Sequence, residues 1–145
     1  MKNKLMKTLD NFKGKKILVI GDIMLDKYVW GDVSRISPEA PVQVVNVLKE
    51  TFEAGGAANV ANNIVALGGF ACMVGISGND EAKNILLEEM RKKGISTEGV
   101  FHDNDKPTTQ KIRILGKSQQ LLRVDYEKKE HIHHDIENSI IKFVE

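Results

Sequence analysis

The sequence predicts an α/β fold, in which a small parallel sheet carries helices and an antiparallel β flap is attached to it. Apolar runs that resemble buried strands alternate with amphipathic segments along much of the chain. This alternation is typical of parallel strands joined by right-handed crossovers. The segment 24–48 and a predicted hairpin later in the chain interrupt the alternation, because they hold strand patterns that do not alternate with helices. These two segments predict the flap.

The composition narrows the class of protein. The 145 residues are 41% hydrophobic and carry a net charge of +1. A nearly neutral chain lacks a basic field, so we expect no nucleic-acid partner. No apolar run is long enough to span a membrane and the N-terminus lacks a signal-peptide core, so we expect a cytoplasmic protein without a membrane partner. The single cysteine, Cys72, excludes an internal disulfide, and its apolar surroundings predict a buried, inert thiol.

The first core strand is predicted in KKILVIGD, after a short leading helix at residues 5–12. An unbroken apolar run of this kind is typical of a strand that is buried on both faces of a parallel sheet. The run ends at Gly21-Asp22, where the flap begins with extended segments and the valine-rich strand VQVVNVL.

A helix is predicted from Ala57 to Leu67. Val60, Ile64 and Leu67 recur at helical spacing and would form its buried stripe. Two glycines end this helix, and FACMVGI follows as the second core strand.

The second helix is predicted in SGNDEAKNILLEEMRKKG, which starts with capping residues and ends with Lys-Lys-Gly. Its inner stripe would be Ala82, Ile85, Leu86 and Met90. GVFH is a short strand, and TTQKIRIL and QQLLRVDY form a β-hairpin around the turn GKS. A final helix, HHDIENSIIKFVE, would turn Ile136, Ile140 and Phe143 inward. With only two or three core strands, we expect apolar edges and faces to remain uncovered.

The stretch EAGGAANVANN places adjacent glycines directly before the first helix. Gly55 and Gly56 allow a ligand to approach the backbone, and the amides that follow lie unpaired at a helix N-terminus. Such a site binds anions or donates to hydroxyl oxygens, and the Asn59 amide, one turn in, both donates and accepts. The alternative is a tight turn whose alanines serve close helix packing.

Asp22 and Asp26 follow the first core strand, whose carboxyl end faces the ligand crevice in open α/β sheets. Asp26 can accept hydrogen bonds from two hydroxyl groups, whereas Asp22 is interpreted as a turn former.

Basic residues share one face of the predicted hairpin. Lys111 and Arg113 alternate with isoleucines, and Arg123 joins them from the facing strand. Three cations around one spot form a candidate phosphate site, and Arg35 is a further candidate. The equally weighted alternative is a solvated strand face. The tract HIHHD lacks a ligand spacing on one helix face and has no cysteine nearby, so we expect no metal site there.

Several segments together resemble one family. GGAANVANNIVALGG and VGISGNDEAKNILLEEMRKKGI, with the GD and LD pairs after the first strand, resemble the N-terminal part of the ribokinase-like sugar kinases, the phosphofructokinase B family. MLDKYVWGDVSRISPEAPVQVV and TTQKIRILGKSQQLLRVDYE resemble most closely its heptose-7-phosphate kinases, which act in ADP-heptose synthesis. The resemblance covers nearly the whole chain from Lys16 onward.

The resemblance implies a ribokinase-like three-layer sandwich, a parallel sheet between helices, with a small β lid that often pairs with the lid of a second subunit. Residues 1–145 would be the N-terminal portion of one carbohydrate kinase domain. Its core strands and helices would lie at about 16–24, 55–103 and 131–145, and its lid segments at about 25–50 and 108–126. By resemblance, the sugar contacts are Asp26, Gly55, Gly56 and Asn59. Because of their positive charge, Lys111, Arg113 and Arg123 are the candidates for binding the phosphate of the sugar.

The resemblance also implies a reaction. The parent enzyme would move the γ-phosphoryl group of ATP, with Mg²⁺, to the anomeric hydroxyl of a heptose 7-phosphate, for ADP-heptose and lipopolysaccharide synthesis. The family carries its catalytic GAGD-type motif and its ATP and magnesium contacts in a C-terminal half, and the only similar string here, GISGND, opens a helix. We therefore expect no catalytic, ATP-binding or metal-binding residue in this chain.

We expect a homodimer through the lid, and a C-terminal half or a fused adenylyltransferase as further partners. Two alternatives stay open. One is a ribokinase-like kinase for another sugar or a nucleoside. The other is a non-catalytic fragment that binds sugar phosphate or dimerises.

Overall fold

The computed structural model describes residues 8–117 and 119–145, which form two β-sheets and the helices packed on them. The strands are β1 (Lys16–Ile20), β2 (Ile23–Ile36), β3 (Gln43–Gly56), β4 (Phe70–Ser77), β5 (Ser96–His102), β6 (Gln110–Gly116) and β7 (Gln119–Tyr126). The helices are α1 (Ala57–Ala66), α2 (Glu81–Lys92) and α3 (His134–Val144).

Three parallel strands form the first sheet, in the order β1-β4-β5. Helix α1 precedes β4 and helix α2 joins β4 to β5, so the chain alternates between strand and helix as the sequence predicts. The α/β class and the two central helices are therefore confirmed.

One face of this sheet holds the core. Met73 of β4 and Leu86 and Met90 of α2 are completely buried there, and Ile85 packs against them, so the predicted inner stripe of α2 is correct. Alanines Ala58 and Ala61 of α1 are equally buried, and their small side chains let the helix approach the strands closely.

The predicted buried face of α1 is wrong in part. Ile64 is buried as expected, but Val60 and Leu67 are exposed, while Ala58 and Ala61 take the buried positions. At about 100° per residue, the buried face is turned by roughly a quarter of a revolution from the predicted stripe. The reason is close packing, because α1 contacts the sheet through small side chains rather than through its largest apolar ones.

The opposite face of the parallel sheet is only partly covered. Helix α3 covers it at β5, where Phe143 packs edge-on against Phe101 with ring centroids 6.1 Å apart. At the β1 edge, Leu18, Ile20 and Phe70 remain 40%, 58% and 62% exposed. The prediction that β1 is buried on both faces is therefore wrong in the part of the chain described, whereas the predicted uncovered apolar face is confirmed.

Helix α3 forms where the sequence predicts it, but it is less buried than expected. Ile136 and Ile140 are half-buried, and Phe143 is 38% exposed although its ring packs against Phe101 of β5.

Four strands form the second sheet, in the order β3-β2-β6-β7. The pairs β2–β3 and β6–β7 are antiparallel, which confirms the predicted hairpin and flap. The middle pair β2–β6 is parallel, which the sequence analysis did not anticipate. Lys117 adopts a left-handed conformation in the β6–β7 turn, and the predicted turn residue Ser118 lies outside the described residues.

Three smaller expectations have mixed outcomes. Residues 8–10 are helical, and residues 5–7 of the predicted leading helix lie outside the described residues. Cys72 is half-buried rather than fully buried. Within the described chain, no helix combines the length and the apolar character that crossing a bilayer requires.

A partly buried hydrogen-bond network ties the loop before β6 to the start of α2. The Asp80 carboxylate caps α2 by accepting from the Lys83 backbone N–H at 2.9 Å, and it also accepts from the N–H and hydroxyl of Thr108 at 2.8 and 2.7 Å. Thr108 is completely buried and its hydroxyl accepts from the Gly78 N–H at 3.0 Å. This network directs β6 toward its position beside β2.

The Asp80 network has a measurable pH signature. Burial raises the pKa of Asp80. The hydrogen bonds from Thr108 and Lys83 lower this pKa by more than burial raises it, so it lies below the ordinary value of 3.8. We expect Asp80→Ala to lower the free energy of unfolding by about 2–3 kcal/mol near neutral pH, because a helix cap and two charged hydrogen bonds are lost.

A depressed folded-state pKa adds stability above pH 3.8, which is lost as the pH falls through the folded-state value. Chemical denaturation at several pH values measures the effect, and the difference between Asp80→Ala and the native chain should shrink below pH 3.8. The exposed Glu98→Ala is the control and should change stability by less than about 0.5 kcal/mol. If the free energy of unfolding of Asp80→Ala lay below that of the native chain by the same amount at every pH, the ionised Asp80 carboxylate would not be the cause.

Candidate functional site

The two sheets meet where the chain leaves β1 and where it enters α1. The Ala57 N–H donates to the Asp22 carbonyl oxygen at 2.8 Å, so the turn after β1 is bonded to the first residue of α1. Gly56 has a φ of 61°, and a Cβ there would overlap the Asp22 carbonyl oxygen. Gly55 and Gly56 are the last residues of β3, and the contact between Gly56 and the Asp22 carbonyl places the start of α1 at this junction.

The N-terminus of α1 has no side-chain cap, although its first amide, of Ala57, is bonded to the Asp22 carbonyl. No side chain caps it, and its first turn contains no acidic residue. First-turn amides without side-chain acceptors, together with the positive end of the helix dipole, favour an oxygen or anionic ligand. Asn59 lies exposed in this first turn, where its amide is accessible from solvent.

Gly55 provides room for the Asp26 carboxylate. A Cβ at Gly55 would overlap Oδ2 of Asp26 on the neighbouring strand. The other oxygen, Oδ1, accepts a hydrogen bond from Nη1 of Arg113 at 2.5 Å, and both side chains are mostly buried. The hydrogen bond with Asp26 raises the pKa of Arg113, against the opposite effect of burial. The Arg113 guanidinium also lies over the ring of Tyr28, 5.3 Å from its centroid.

The three predicted cations lie on one face of the four-stranded sheet. Strand register pairs Lys111 with Asp26 across β2–β6, and pairs Arg113 with Arg123 across β6–β7. Because paired residues point to the same side of a sheet, Asp26 and the basic residues face the same way. The sequence interpretation had brought the cations together correctly, and the strand pairing adds Asp26 to them.

Asp125 is a member of this cluster that the sequence analysis missed. Its carboxylate lies 3.0 Å from Nε of Arg123 and 3.5 Å from Nζ of Lys111. Burial raises the pKa of Asp125, and the hydrogen bonds and charges of Arg123 and Lys111 lower it below its ordinary value. Strand alternation could have identified Asp125, which stands two residues after Arg123. Three cations and two carboxylates leave the cluster with one net positive charge.

Arg35, the further phosphate candidate, does not join this cluster. It is exposed near the far end of β2, where it pairs with Val44. Nine residues of extended chain separate it from Asp26, which corresponds to about 30 Å.

An open cleft of about 510 Å³ adjoins the cluster through Lys111. The carboxyl ends of β1 and β4 form its floor, and this is the edge at which open α/β sheets bind ligands. Asp22 and Ser77 line it, and its other basic residues are Lys106, Lys128 and Lys129. Sequence reasoning missed these lysines because they lie in loops, where no strand or helix pattern relates them to β1.

Comparison with protein families identifies a match over residues 14–139 to the pfkB family of carbohydrate kinases. The chain is 45% identical over 134 residues to the bifunctional protein HldE of Desulfatibacillum aliphaticivorans, covering 92% of this chain and 27% of that protein. It is 48% identical over 130 residues to the bifunctional protein HldE of Helicobacter hepaticus, covering 90% of this chain and 27% of that protein. The chain thus spans about a quarter of the length of these relatives.

Two solved structures share the fold. A putative sugar kinase from Clostridium perfringens superposes with a TM-score of 0.69 at 20% identity, over 90% of this chain and 41% of that one. A ribokinase of Arabidopsis thaliana complexed with ribose and ATP superposes with a TM-score of 0.63 at 21% identity, over 90% of this chain and 43% of that one. These likenesses confirm the predicted ribokinase-like fold.

The Asp26–Arg113 pair should couple strongly in the folded protein. A double-mutant cycle with Asp26→Ala and Arg113→Ala should give a coupling energy of about 1–3 kcal/mol, because the pair is charged and mostly shielded from water. Denaturation of the four proteins measures it, and added salt should reduce it only slightly. The exposed pair Lys117–Asp32, 3.7 Å apart, is the control and should give less than about 0.5 kcal/mol. Equal coupling in both pairs would refute the proposed geometry.

Proposed function

Because the chain belongs to the pfkB family of carbohydrate kinases, we propose that it forms the sugar-binding side of a heptose-7-phosphate kinase. The reaction would transfer the γ-phosphoryl group of ATP to the anomeric hydroxyl of a heptose 7-phosphate, for ADP-heptose and lipopolysaccharide synthesis. The observation that carries the proposal is a carboxylate, Asp26, fixed beside a cluster of cations on one sheet face. A phosphorylated sugar needs both groups, a hydroxyl acceptor and a phosphate site, a short distance apart.

The sugar hydroxyls would bind at the junction of the sheets. Asp26 keeps Oδ2 in the space that Gly55 leaves open, where it can accept from hydroxyl groups. Asn59 and the first-turn amides of α1 would donate to hydroxyl oxygens from the adjoining helix end. Gly56 would keep this helix end in position, because a side chain there would overlap the Asp22 carbonyl oxygen.

The phosphate would bind farther along the same face. Arg113 is committed to Asp26, so we assign it mainly to orienting that carboxylate. Arg123 and Lys111 share Asp125 and carry the net positive charge, so they are the stronger phosphate ligands. A phosphate dianion offers more acceptor oxygens than Asp125 does and can compete for both cations.

The catalytic groups, ATP and Mg²⁺ would be held elsewhere in the protein. Asp26 is already paired with a guanidinium, and the cluster has more cations than carboxylates, so these residues do not fit a Mg²⁺ site. We assign no step of phosphoryl transfer to the residues of this chain. The exposed apolar side chains Leu18, Ile20 and Phe70 would pack against the part of the kinase that supplies those groups. A fused adenylyltransferase would account for the word bifunctional in the name of the relatives.

We also propose that two copies pair through the four-stranded sheet, which would act as a lid. It exposes large apolar side chains on β2 and β3, among them Ile36 at its far end and Leu48 near the middle of β3. Trp30 is also exposed on this sheet. Pairing of two such sheets would remove this surface from water.

The proposal is tested by comparing heptose 7-phosphate with the same heptose lacking the phosphate. Calorimetry on the protein as its own gene encodes it should give tighter binding of heptose 7-phosphate, and ATP with Mg²⁺ should then release ADP. We expect Arg123→Ala to weaken heptose 7-phosphate binding by about 10–100-fold, the loss of a charged hydrogen bond, and to leave the unphosphorylated heptose unaffected.

Arg91→Ala, on the exposed surface of α2, is the matched control and should change neither affinity. Equal loss for both sugars in Arg123→Ala would rule out the phosphate assignment. Faster ADP release with a different sugar would rule out the heptose.

Asn59 offers a second test on the sugar itself. Asn59→Ala should weaken binding of both heptoses equally, by about 1–3 kcal/mol, because the lost partners are hydroxyl groups rather than the phosphate. Asn63→Ala, one turn farther along α1, is the control, because it replaces the same type of side chain with alanine. Unchanged affinity in a folded Asn59→Ala protein would remove this residue from the site.

A further inference from the structure

A second polar cluster lies where β5 ends, away from the Asp26 face. Asp103 follows β5 and is only 2% exposed. Its Oδ1 accepts a hydrogen bond from the Asp105 N–H at 2.9 Å. Its Oδ2 is buried and has no hydrogen-bond partner. Among the described residues, no other buried side-chain nitrogen or oxygen lacks a partner. A buried carboxylate oxygen without a donor is costly, and a cation is the partner that removes the cost most directly.

Two further ligand atoms stand beside Asp103. One atom from each of Asp103, Asp105 and His133 lies within 4.8 Å of the other two. Nε2 of His133 is 3.2 Å from Oδ2 of Asp105. Ligands bound to one ion at about 2.0–2.2 Å lie about 3–4 Å from each other, so small side-chain rotations would bring the three atoms onto a common centre.

We propose that Asp103, Asp105 and His133 bind a divalent transition-metal cation of the Zn²⁺ class. Two carboxylate oxygens and one imidazole nitrogen are a donor set that Zn²⁺ accepts, whereas Mg²⁺ and Ca²⁺ prefer oxygen alone. Asp105 and His133 are exposed, so water would complete the coordination shell.

The neighbouring ammonium groups leave the carboxylates available. Lys128 donates to the Asp105 backbone carbonyl at 3.2 Å and pairs with the Glu130 carboxylate at 2.9 Å. Lys106 donates to the backbone carbonyls of Glu130 and His131. Neither ammonium is hydrogen-bonded to the carboxylate of Asp103 or Asp105, so the cation would displace no such bond. Glu130 and, less strongly, the charges of Asp105 and Asp103 raise the pKa of Lys128, so a bound cation would compete with this ammonium only through the longer-range charge.

The histidines of the tract HIHHD do not share a helix face, and the sequence therefore predicts no metal there. In the fold, however, two carboxylates lie close to His133, from a loop about thirty positions earlier in the chain. The cation would then join the loop after β5 to the residue that caps α3. Lys106, Lys128, Glu130 and Ile132 line the cleft, so the cation would fix one rim of it. None of its ligands belongs to the Asp26 cluster, and the site does not depend on the proposed kinase function.

Zinc binding to the protein as its own gene encodes it tests the site. The protein is stripped with a chelator and titrated with Zn²⁺ by equilibrium dialysis, and metal content and melting temperature are measured. We expect Asp103→Asn, Asp105→Asn and His133→Gln each to weaken zinc binding at one site by about tenfold or more. Loss of an outer-shell partner of a metal site already lowers metal affinity by about tenfold, and these residues would be direct ligands. Zn²⁺ should raise the melting temperature of the native protein more than that of these variants.

His134→Gln is the matched control, because the adjacent His134 pairs with Glu137 outside the cluster. It should keep the native affinity for Zn²⁺ and the native rise in melting temperature. If the buried change Asp103→Asn prevents folding, the exposed changes Asp105→Asn and His133→Gln decide the question. Native zinc affinity in these two variants would overturn the site, and so would Mg²⁺ binding as tightly as Zn²⁺ with no effect of His133→Gln.

Discussion

The hydrogen bond from the Ala57 N–H to the Asp22 carbonyl connects the two halves of the fold. At this point the chain leaves the parallel sheet, runs out and back as β2 and β3, and returns as α1. Gly56 permits this bond, because it adopts a left-handed φ and a Cβ there would overlap the Asp22 carbonyl oxygen. This contact helps to set the position of the four-stranded sheet relative to the parallel sheet, together with the Asp80–Thr108 network, and it brings the start of α1 close to the Asp26 strand.

Charge on the four-stranded sheet is arranged before any ligand binds. In the Asp26–Arg113 pair, the Asp26 carboxylate occupies the space that a side chain at position 55 would fill, and the Arg113 guanidinium lies over the Tyr28 ring. Asp125 keeps Arg123 and Lys111 close together, although like charges would otherwise separate them. A phosphate would thus meet cations that are already positioned, at the cost of displacing one carboxylate. Positioning of this kind reduces the entropy lost on binding.

Much of the fold follows from local pattern. The unbroken apolar runs, the capping residues of α2 and the alternation in the hairpin depend on neighbours in the chain, and each is found where the pattern predicts it. The face of α1 was predicted less well, since hydrophobic periodicity favours the largest side chains. The helix instead approaches the sheet through Ala58 and Ala61, which depends on how close the sheet can lie.

The sequence by itself determined the α/β class, the helix start at the double glycine and the shared face of Lys111, Arg113 and Arg123, because period and alternation encode these directly. Only the tertiary structure decided that Asp26 holds Arg113, since that contact requires the parallel β2–β6 pairing between segments 87 positions apart. It also decided that His133 faces Asp103 and Asp105. The physical reason is the same in both cases. A pattern in the chain specifies which side of an element a residue occupies, but the packing of distant elements decides which residue it meets there.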